Sequence, residues 1–147
     1  MWNALPLLGE TAFIAINGDI WTDYDLARLP RGLQGDAHLV LVDNPAQHPR
    51  GDFALREDGS VASAGAQQLT FAGIGLYRPE LFDDWREVIG ARAGVDANPP
   101  RFPLAPLLRA AMTRDAVTGQ HHRGHWTDVG TPQRLALLQA SLGGSRR

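Results

Sequence analysis

The stretch FIAINGD, residues 13–19, indicates the fold more directly than any other part of the sequence. Its first four residues form a short apolar run, which is typical of a strand buried inside a parallel sheet. The run leads straight into Asn17, Gly18 and Asp19. Because ligands bind at the carboxyl ends of strands in open α/β sheets, we expect these three residues to border a binding site.

Apolar runs and turn residues alternate along the rest of the chain. Predicted strands cover residues 13–17, 38–42, 69–77, 117–120 and 125–129, and a hairpin joins 53–56 to 60–64. Predicted helices cover residues 1–8, 24–29, a short segment from 79, 106–113 and 132–143. This order predicts a single α/β domain over residues 1–147, in which helices flank a mixed, mostly parallel sheet.

The composition excludes several classes of function. The chain has 147 residues, a net charge of −2 and no cysteine, and all 14 basic residues are arginine. The weak charge excludes a basic nucleic-acid-binding protein, and the missing cysteine excludes disulfides, zinc–thiolate sites and cysteine nucleophiles. No apolar run reaches the roughly 18 residues of a membrane helix, and no signal peptide is recognisable. We therefore expect a cytoplasmic protein that binds neither nucleic acid nor membrane.

Asp19 is the first candidate for chemistry. Its carboxylate is a hard oxygen ligand, which suits Mg²⁺ that bridges substrate phosphates. Gly18 would let a ligand approach the backbone closely. The alternative is a plain turn, since Gly and Asp are common turn residues for conformational reasons alone.

Asp128 is the second candidate, within the stretch WTDVGTP at 126–132. It follows a predicted strand and precedes a helix that begins with Thr131 as cap and Pro132 at the first position. The alternative is a structural aspartate next to a helix cap. If the two strands lie close in one sheet, Asp19 and Asp128 together could hold one Mg²⁺.

Three other groups of residues favour structural roles. Asp23 is interpreted as the cap of the 24–29 helix, and its spacing from Asp19 and Asp25 matches no EF-hand loop. The histidines at 121, 122 and 125 lack the spacing of a known metal site. The four tryptophans at 2, 21, 85 and 126 are unevenly spaced, which favours packing over ligand stacking.

Four stretches in order resemble the sugar-1-phosphate nucleotidyltransferases. They are NALPLLG at 3–9, FIAINGDI at 13–20, LTFAGIGLY at 69–77 and WTDVGTP at 126–132. The resemblance extends over essentially the whole chain. It is nearest to family members of cell-wall recycling that act on N-acetylmuramate-1-phosphate, and such chains are often labelled mannose-1-phosphate guanylyltransferase.

The resemblance implies a reaction and a set of residues. Family members join a sugar-1-phosphate to a nucleoside triphosphate and release pyrophosphate. Asp19 and Asp128 would be the catalytic residues that hold Mg²⁺. The residues expected to face the substrates are Asn17, Gly18, Asn44, Gly51, Thr70, Gly73 and Gly75, the last two because a Cβ there would intrude on the sugar.

The chain departs from the family pattern at its start. The glycine-rich signature that cradles the triphosphate and the lysine–proline pair are absent, so we expect the N-terminal βα units to be missing and the chain alone to be weak or inactive. The strand at 13–17 would then have an unpaired apolar edge, which predicts self-association. Two alternatives stay open. One is a non-catalytic sugar-phosphate-binding remnant or subunit. The other is a relative that carries out the same reaction with guanylyl or thymidylyl transfer, such as a mannose-1-phosphate guanylyltransferase.

Overall fold

The structure, a computed structural model, describes residues 1–144. Its centre is a four-stranded sheet in the order β1-β6-β3-β7. Two two-stranded ribbons accompany it, β2 with β8 and β4 with β5. The strands are β1 Phe13–Ile16, β2 Ile20–Thr22, β3 Ala37–Val42, β4 Ala54–Leu55, β5 Val61–Ala62, β6 Thr70–Tyr77, β7 Val117–His122 and β8 Trp126–Asp128.

Four α-helices and three short 3₁₀ helices make up the remaining regular structure of residues 1–144. The α-helices are α1 Leu5–Leu8, α2 Trp85–Ile89, α3 Ala105–Met112 and α4 Pro132–Gly144. The 3₁₀ helices are Trp2–Ala4, Leu26–Arg28 and Pro79–Phe82. Among the described residues, no helix combines the length and apolar character that crossing a bilayer requires.

The prediction of a mixed sheet with flanking helices is confirmed, but the sheet is not mostly parallel. Only β3 and β7 run parallel, whereas β6 is antiparallel to both of its neighbours, β1 and β3. Because β6 lies between β1 and β3 and runs opposite to both, most of the pairing in the sheet is antiparallel. A continuous apolar run does not reveal this direction, because any strand covered on both faces is apolar throughout.

The central strand β3 divides the core into two layers. Leu39 and Leu41 pack on one face against α2 and α3, with Phe82, Leu107 and Leu108 fully buried in the same cluster. Val40 and Val42 pack on the other face in a second cluster, built from Tyr24, Leu29, Ala72 and Ile74. Because both faces are covered, β3 is buried along nearly its whole length.

The edge strand β1 differs from the prediction of a buried parallel strand. It pairs antiparallel with β6 on one side only, and its side chains alternate between partly buried and exposed. Ile14 and Ile16 are each about half exposed, at 47% and 48%. The predicted unpaired apolar edge is therefore present in the described structure, while the predicted full burial was wrong.

The segment after β2 also corrects a prediction. The short helix is the 3₁₀ turn Leu26–Arg28, and its cap is Asp25, whose Oδ1 accepts a hydrogen bond from the Ala27 N–H at 2.9 Å. Asp23 instead accepts from His122 Nε2 at 2.8 Å. The cap moved because the chain between Thr22 and Tyr24 continues the ribbon by pairing with His125.

Candidate functional site

The ribbon of β2 and β8 brings the two predicted aspartates together. Its antiparallel register places Ile20 opposite Asp128, and the Val129 N–H donates to the Asp19 carbonyl at 2.7 Å. Residues separated by more than a hundred positions therefore become neighbours through backbone pairing alone. The sequence pattern does not predict β2, because a strand of three residues is too short to show alternation.

Gly130 lies between the two carboxylates. An ideal Cβ at this glycine would stand 3.1 Å from Asp19 Oδ2 and 3.6 Å from Asp128 Oδ1. Arg134 Nη2 is 3.5 Å from the same point. Two carboxylates and one guanidinium thus surround a small space that a larger side chain at 130 would occupy.

Asp128 is held by two side chains. Arg134 Nη1 donates to the carboxylate, 2.8 Å from Oδ1 and 2.9 Å from Oδ2, and Gln47 Nε2 donates to Oδ2 at 3.0 Å. The side chain of Asp128 is only 23% exposed. Neither Arg134 nor Gln47 was predicted as a site residue, since neither has a local sequence pattern of its own.

The first turn of α4 explains why Arg134 stands where it does. Thr131 caps the helix, with its Oγ1 accepting from the Arg134 N–H at 3.3 Å and its carbonyl accepting from the Leu135 N–H at 3.0 Å. The predicted cap at Thr131, with Pro132 as the first helical residue, is therefore present. This cap fixes the backbone of residue 134 directly beside the end of β8.

Asp19 contrasts with Asp128. It is exposed at the turn between β1 and β2, and within residues 1–144 its carboxylate has no hydrogen-bond or ion-pair partner. Asn17 and Gly18 precede it in the same exposed turn, and the Asn17 N–H donates to the Gly73 carbonyl at 2.8 Å. The predicted trio at the end of β1 thus faces solvent next to the Asp128 carboxylate.

The donor set at Gly130 fits a magnesium ion in type. Mg²⁺ is usually held in proteins by one or two carboxylates while waters and substrate phosphates complete its shell. In the part of the chain that the structure describes, no cluster of three or more His, Asp or Glu side chains could enclose a metal. A cation at this place would therefore depend on Asp19, Asp128 and external oxygens.

Three residues expected to face the sugar, Asn44, Gly51 and Thr70, lie next to one another. Asn44 Nδ2 donates to the Gln68 carbonyl at 2.9 Å, and Thr70 Oγ1 donates to Asn44 Oδ1 at 2.8 Å. A Cβ at Gly51 would stand 2.7 Å from the same Asn44 oxygen. The network fastens the loop at 43–51 to the start of β6, so much of the hydrogen-bonding capacity of Asn44 is used within the protein.

Gly73 and Gly75 each lie against a side chain of the protein. A Cβ at Gly73, where φ is +76°, would meet the Asn17 side chain at 2.7 Å. A Cβ at Gly75 would meet the phenol of Tyr77. Both glycines are buried and leave room for these protein side chains, and the expectation that they also open space for a sugar ring stays a prediction.

A groove of about 350 Å³ lies beside Asp128. It is bounded by the ribbon, by α4 and by Gln47 from the 43–51 loop. Its lining residues include Trp21, Trp126, His125, Arg134 and Leu138. The groove and the carboxylate pair share Arg134 and Gln47, which makes this end of the molecule the candidate for a substrate site.

The histidines near the site pair with carboxylates. His122 is 5% exposed and bonds Asp23, while His121 Nε2 bonds Asp43 Oδ1 at 3.0 Å. The backbone hydrogen bond with His125, together with His122, lowers the pKa of Asp23 below its usual value. His121 and His122 each use their Nε2 atom in these contacts with Asp43 and Asp23.

The tryptophans mostly pack, as expected. Trp85 stacks on Phe102 at 4.4 Å between ring centroids and contacts Trp2 at 5.5 Å. Trp126 donates from Nε1 to the Ala72 carbonyl at 2.9 Å, which ties the ribbon to β6. Trp21 and Trp126 also line the groove beside Asp128.

Comparison with known proteins identifies relatives of the chain. It is 45% identical over 149 residues to the N-acetylmuramate alpha-1-phosphate uridylyltransferase of Neisseria meningitidis serogroup B (strain ATCC BAA-335 / MC58). The match covers 95% of this chain and 59% of the relative, so the chain spans about three fifths of the length of that relative. No protein-family model matches the chain.

Solved structures share the fold. A Bacillus anthracis protein assigned as a glucose-1-phosphate thymidylyltransferase superposes with a TM-score of 0.70 at 17% identity, over 95% of this chain and 58% of its own. An apo UDP-glucose pyrophosphorylase superposes with a TM-score of 0.71 at 13% identity, over 99% of this chain and 59% of its own. The chain is thus similar to N-acetylmuramate alpha-1-phosphate uridylyltransferase, and its mixed sheet with flanking helices is the fold of the corresponding part of sugar-1-phosphate nucleotidyltransferases.

Proposed function

We propose that this chain supplies the cation and sugar-phosphate side of a nucleotidyltransferase that joins N-acetylmuramate-1-phosphate to UTP. The observation that supports this most is the convergence of Asp19 and Asp128 beside Gly130, in a chain 45% identical to an N-acetylmuramate alpha-1-phosphate uridylyltransferase. The reaction consumes UTP, which fits a cytoplasmic location, and its product would serve the recycling of cell-wall sugars.

The proposed reaction is a displacement at phosphorus. An oxygen of the sugar-1-phosphate attacks the α-phosphorus of UTP, and a new P–O bond forms. The bond from the α-phosphorus to the oxygen bridging it to the β-phosphorus breaks, and pyrophosphate leaves with that electron pair. Because both reactants are anions, the main demands on the protein are positioning and neutralisation of charge.

Asp19 and Asp128 would hold a Mg²⁺ ion in this proposal. When bound, the ion supplies positive charge between the two phosphates and lowers their repulsion. Arg134 and Gln47 hold the Asp128 carboxylate at 2.8–3.0 Å, which fixes its orientation before any substrate arrives. Asp19, in its exposed turn, is free to adjust when phosphate oxygens enter.

The sugar would lie near the ends of β1 and β3. The exposed Asn17 and Gly18 lie on one side, and the 43–51 loop lies on the other, fastened by Asn44 and Thr70. Gln47 of this loop reaches Asp128, so the loop connects the cation side to the sugar side. Asn44 and Thr70 therefore shape the loop, Gly51 leaves room for the Asn44 side chain, and Asn17 and Gly18 border the open space.

A chimera tests the proposal directly. This chain replaces the matching segment of the Neisseria meningitidis relative, and pyrophosphate release is measured with UTP and N-acetylmuramate-1-phosphate. We expect turnover with this pair above that with GTP and mannose-1-phosphate, and Asp19→Ala or Asp128→Ala should each lower it at least about a hundredfold. Asp84→Ala, an exposed aspartate before α2, is the matched control and should leave turnover unchanged.

Three outcomes would count against the proposal. Full turnover in both aspartate variants would refute the assigned roles of the two carboxylates. Preference for GTP and mannose-1-phosphate would replace the assigned substrates. Calorimetry on the chain alone addresses the binding-module alternative, since binding of the sugar phosphate combined with an inactive chimera would indicate a non-catalytic subunit.

A further inference from the structure

Arg134 lies beside the place proposed for the bound cation. Its Nη1 contacts both oxygens of Asp128, at 2.8 and 2.9 Å, and its Nη2 faces the point beside Gly130 that Asp19 also borders. The guanidinium is 31% exposed and stands within the same small space as the two carboxylates. One fixed positive charge thus accompanies two negative charges.

The position of Arg134 on α4 is unfavourable without Asp128. It is the third residue of the helix, where the partial charge of the helix terminus is positive and cations are disfavoured. Its Nε is buried and has no hydrogen-bond acceptor among the described residues. The contact with the Asp128 carboxylate is therefore what offsets the cost of placing an arginine here.

Removing this arginine would leave two carboxylates close together with no compensating cation in contact. Like charges at this separation repel, and a divalent ion would relieve the repulsion more effectively than a guanidinium does. Arg134 and a divalent ion therefore have overlapping electrostatic roles at Asp128. An ion held by the same oxygens would compete with Arg134 for them.

We propose that Arg134 is the resident counterion of the Asp19–Asp128 pair. It holds Asp128 in place while no cation is bound, and it releases at least one carboxylate oxygen when a divalent ion enters. This inference rests on the cation site of the proposed function and adds a positioning residue to it. Arg134 lowers the affinity for the cation and thereby keeps binding of the ion dependent on the phosphates that substrates bring.

Binding of Mn²⁺ alone to the 147-residue chain tests the inference without any assay of turnover. Free Mn²⁺ is measured by electron paramagnetic resonance during a titration. We expect Arg134→Gln to bind Mn²⁺ about tenfold more tightly than the wild type, which is the order expected when one unit charge is removed from beside a divalent ion in a partly exposed site. Arg134→Lys, which keeps the charge, should bind within about threefold of the wild type.

Two further variants serve as a control and as a substitute for Arg134→Gln. Arg114→Gln removes an arginine that pairs with Asp36 at 2.6 Å, at the opposite end of the parallel β3–β7 pair, and should leave Mn²⁺ affinity unchanged. Arg134→Met repeats the charge removal with an apolar stem, should the Gln variant fail to fold. Unchanged or weaker Mn²⁺ binding in the folded charge-removed variants would overturn the competition while leaving the proposed reaction intact. A wild type and an Arg134→Gln variant that both bind no Mn²⁺ would overturn the inference together with the cation site, and the chimera would then decide separately whether the chain supports transfer.

Discussion

The central pair β3 and β6 and the ribbon of β2 and β8 achieve order in different ways. β3 and β6 are six and eight residues long, apolar and buried on both faces, so their position is set by packing. The ribbon strands have three residues each and are only partly buried, and their position is set by backbone register and a few tethers. The sheet therefore supplies a rigid base, while the register of the ribbon determines which carboxylates lie side by side.

The largest effect is expected in the central pair. Leu39→Ala removes a fully buried side chain between β3 and the α3 layer. A cavity of this kind costs about 3 kcal/mol of unfolding free energy. Urea denaturation checks the value, and a loss below about 1 kcal/mol would mean that β3 is not the packed centre described above.

A smaller effect is expected where the ribbon is tethered to the sheet. Trp126→Phe keeps an aromatic ring but loses the hydrogen bond from Nε1 to the Ala72 carbonyl. We expect a loss of about 1 kcal/mol in unfolding free energy, together with weaker Mn²⁺ binding because the end of β8 loosens. Trp21→Phe, on the neighbouring strand, is the matched control, and equal loss of Mn²⁺ affinity in both variants would argue against a specific tether.

The parallel β3–β7 pair should also show a pH effect. Burial lowers the pKa of His38 below 6.5, and its Nδ1 bonds Thr118 Oγ1 at 2.8 Å. The unfolded chain therefore takes up a proton at higher pH than the folded chain, so His38 lowers stability as the pH falls through 6.5. Urea unfolding at pH 7.5 and 5.5 should show a smaller pH-dependent loss in His38→Leu than in the wild type; the same loss in both would contradict the burial argument.

The smallest effect on stability is expected at the edge of the sheet. Ile16→Lys places a charge on the exposed face of β1 and should change unfolding free energy by less than about 0.5 kcal/mol. It should nevertheless reduce self-association, because edge strands are protected by charged side chains. Sedimentation velocity measures this; Leu137→Lys on α4 is the matched control, and a monomeric wild type would remove the basis for the prediction.

Sequence patterns predicted the elements that packing decides. β3 and β6 stand out because their apolar runs are long, and the hairpin of β4 and β5 stands out because Gly59 follows an acidic turn. The direction of β6 was not predictable in the same way, since burial on both faces leaves no mark of direction. The edge position of β1 followed from the family resemblance rather than from its composition.

The site could be predicted only in part, because a sequence pattern shows local features and does not show tertiary contacts. Asp19 and Asp128 are visible in sequence because each lies at the end of a predicted strand and within two residues of a glycine. Gln47 and Arg134 are not visible, because their importance comes from tertiary contacts with Asp128 at 2.8–3.0 Å. Gly73 and Gly75 were visible as glycines, but only the structure shows that Asn17 and Tyr77 fill the space beside them.

A double-mutant cycle on Mn²⁺ binding tests directly whether Asp19 and Asp128 share one ion. Mn²⁺ affinity and stoichiometry are measured for the wild type, Asp19→Asn, Asp128→Asn and the double variant. A shared ion predicts one Mn²⁺ per chain, at least about a tenfold loss in each single variant, and a double variant scarcely weaker than the weaker single one, since groups that act as a unit are non-additive. Losses that simply add, or a single variant that keeps wild-type affinity, would contradict the account.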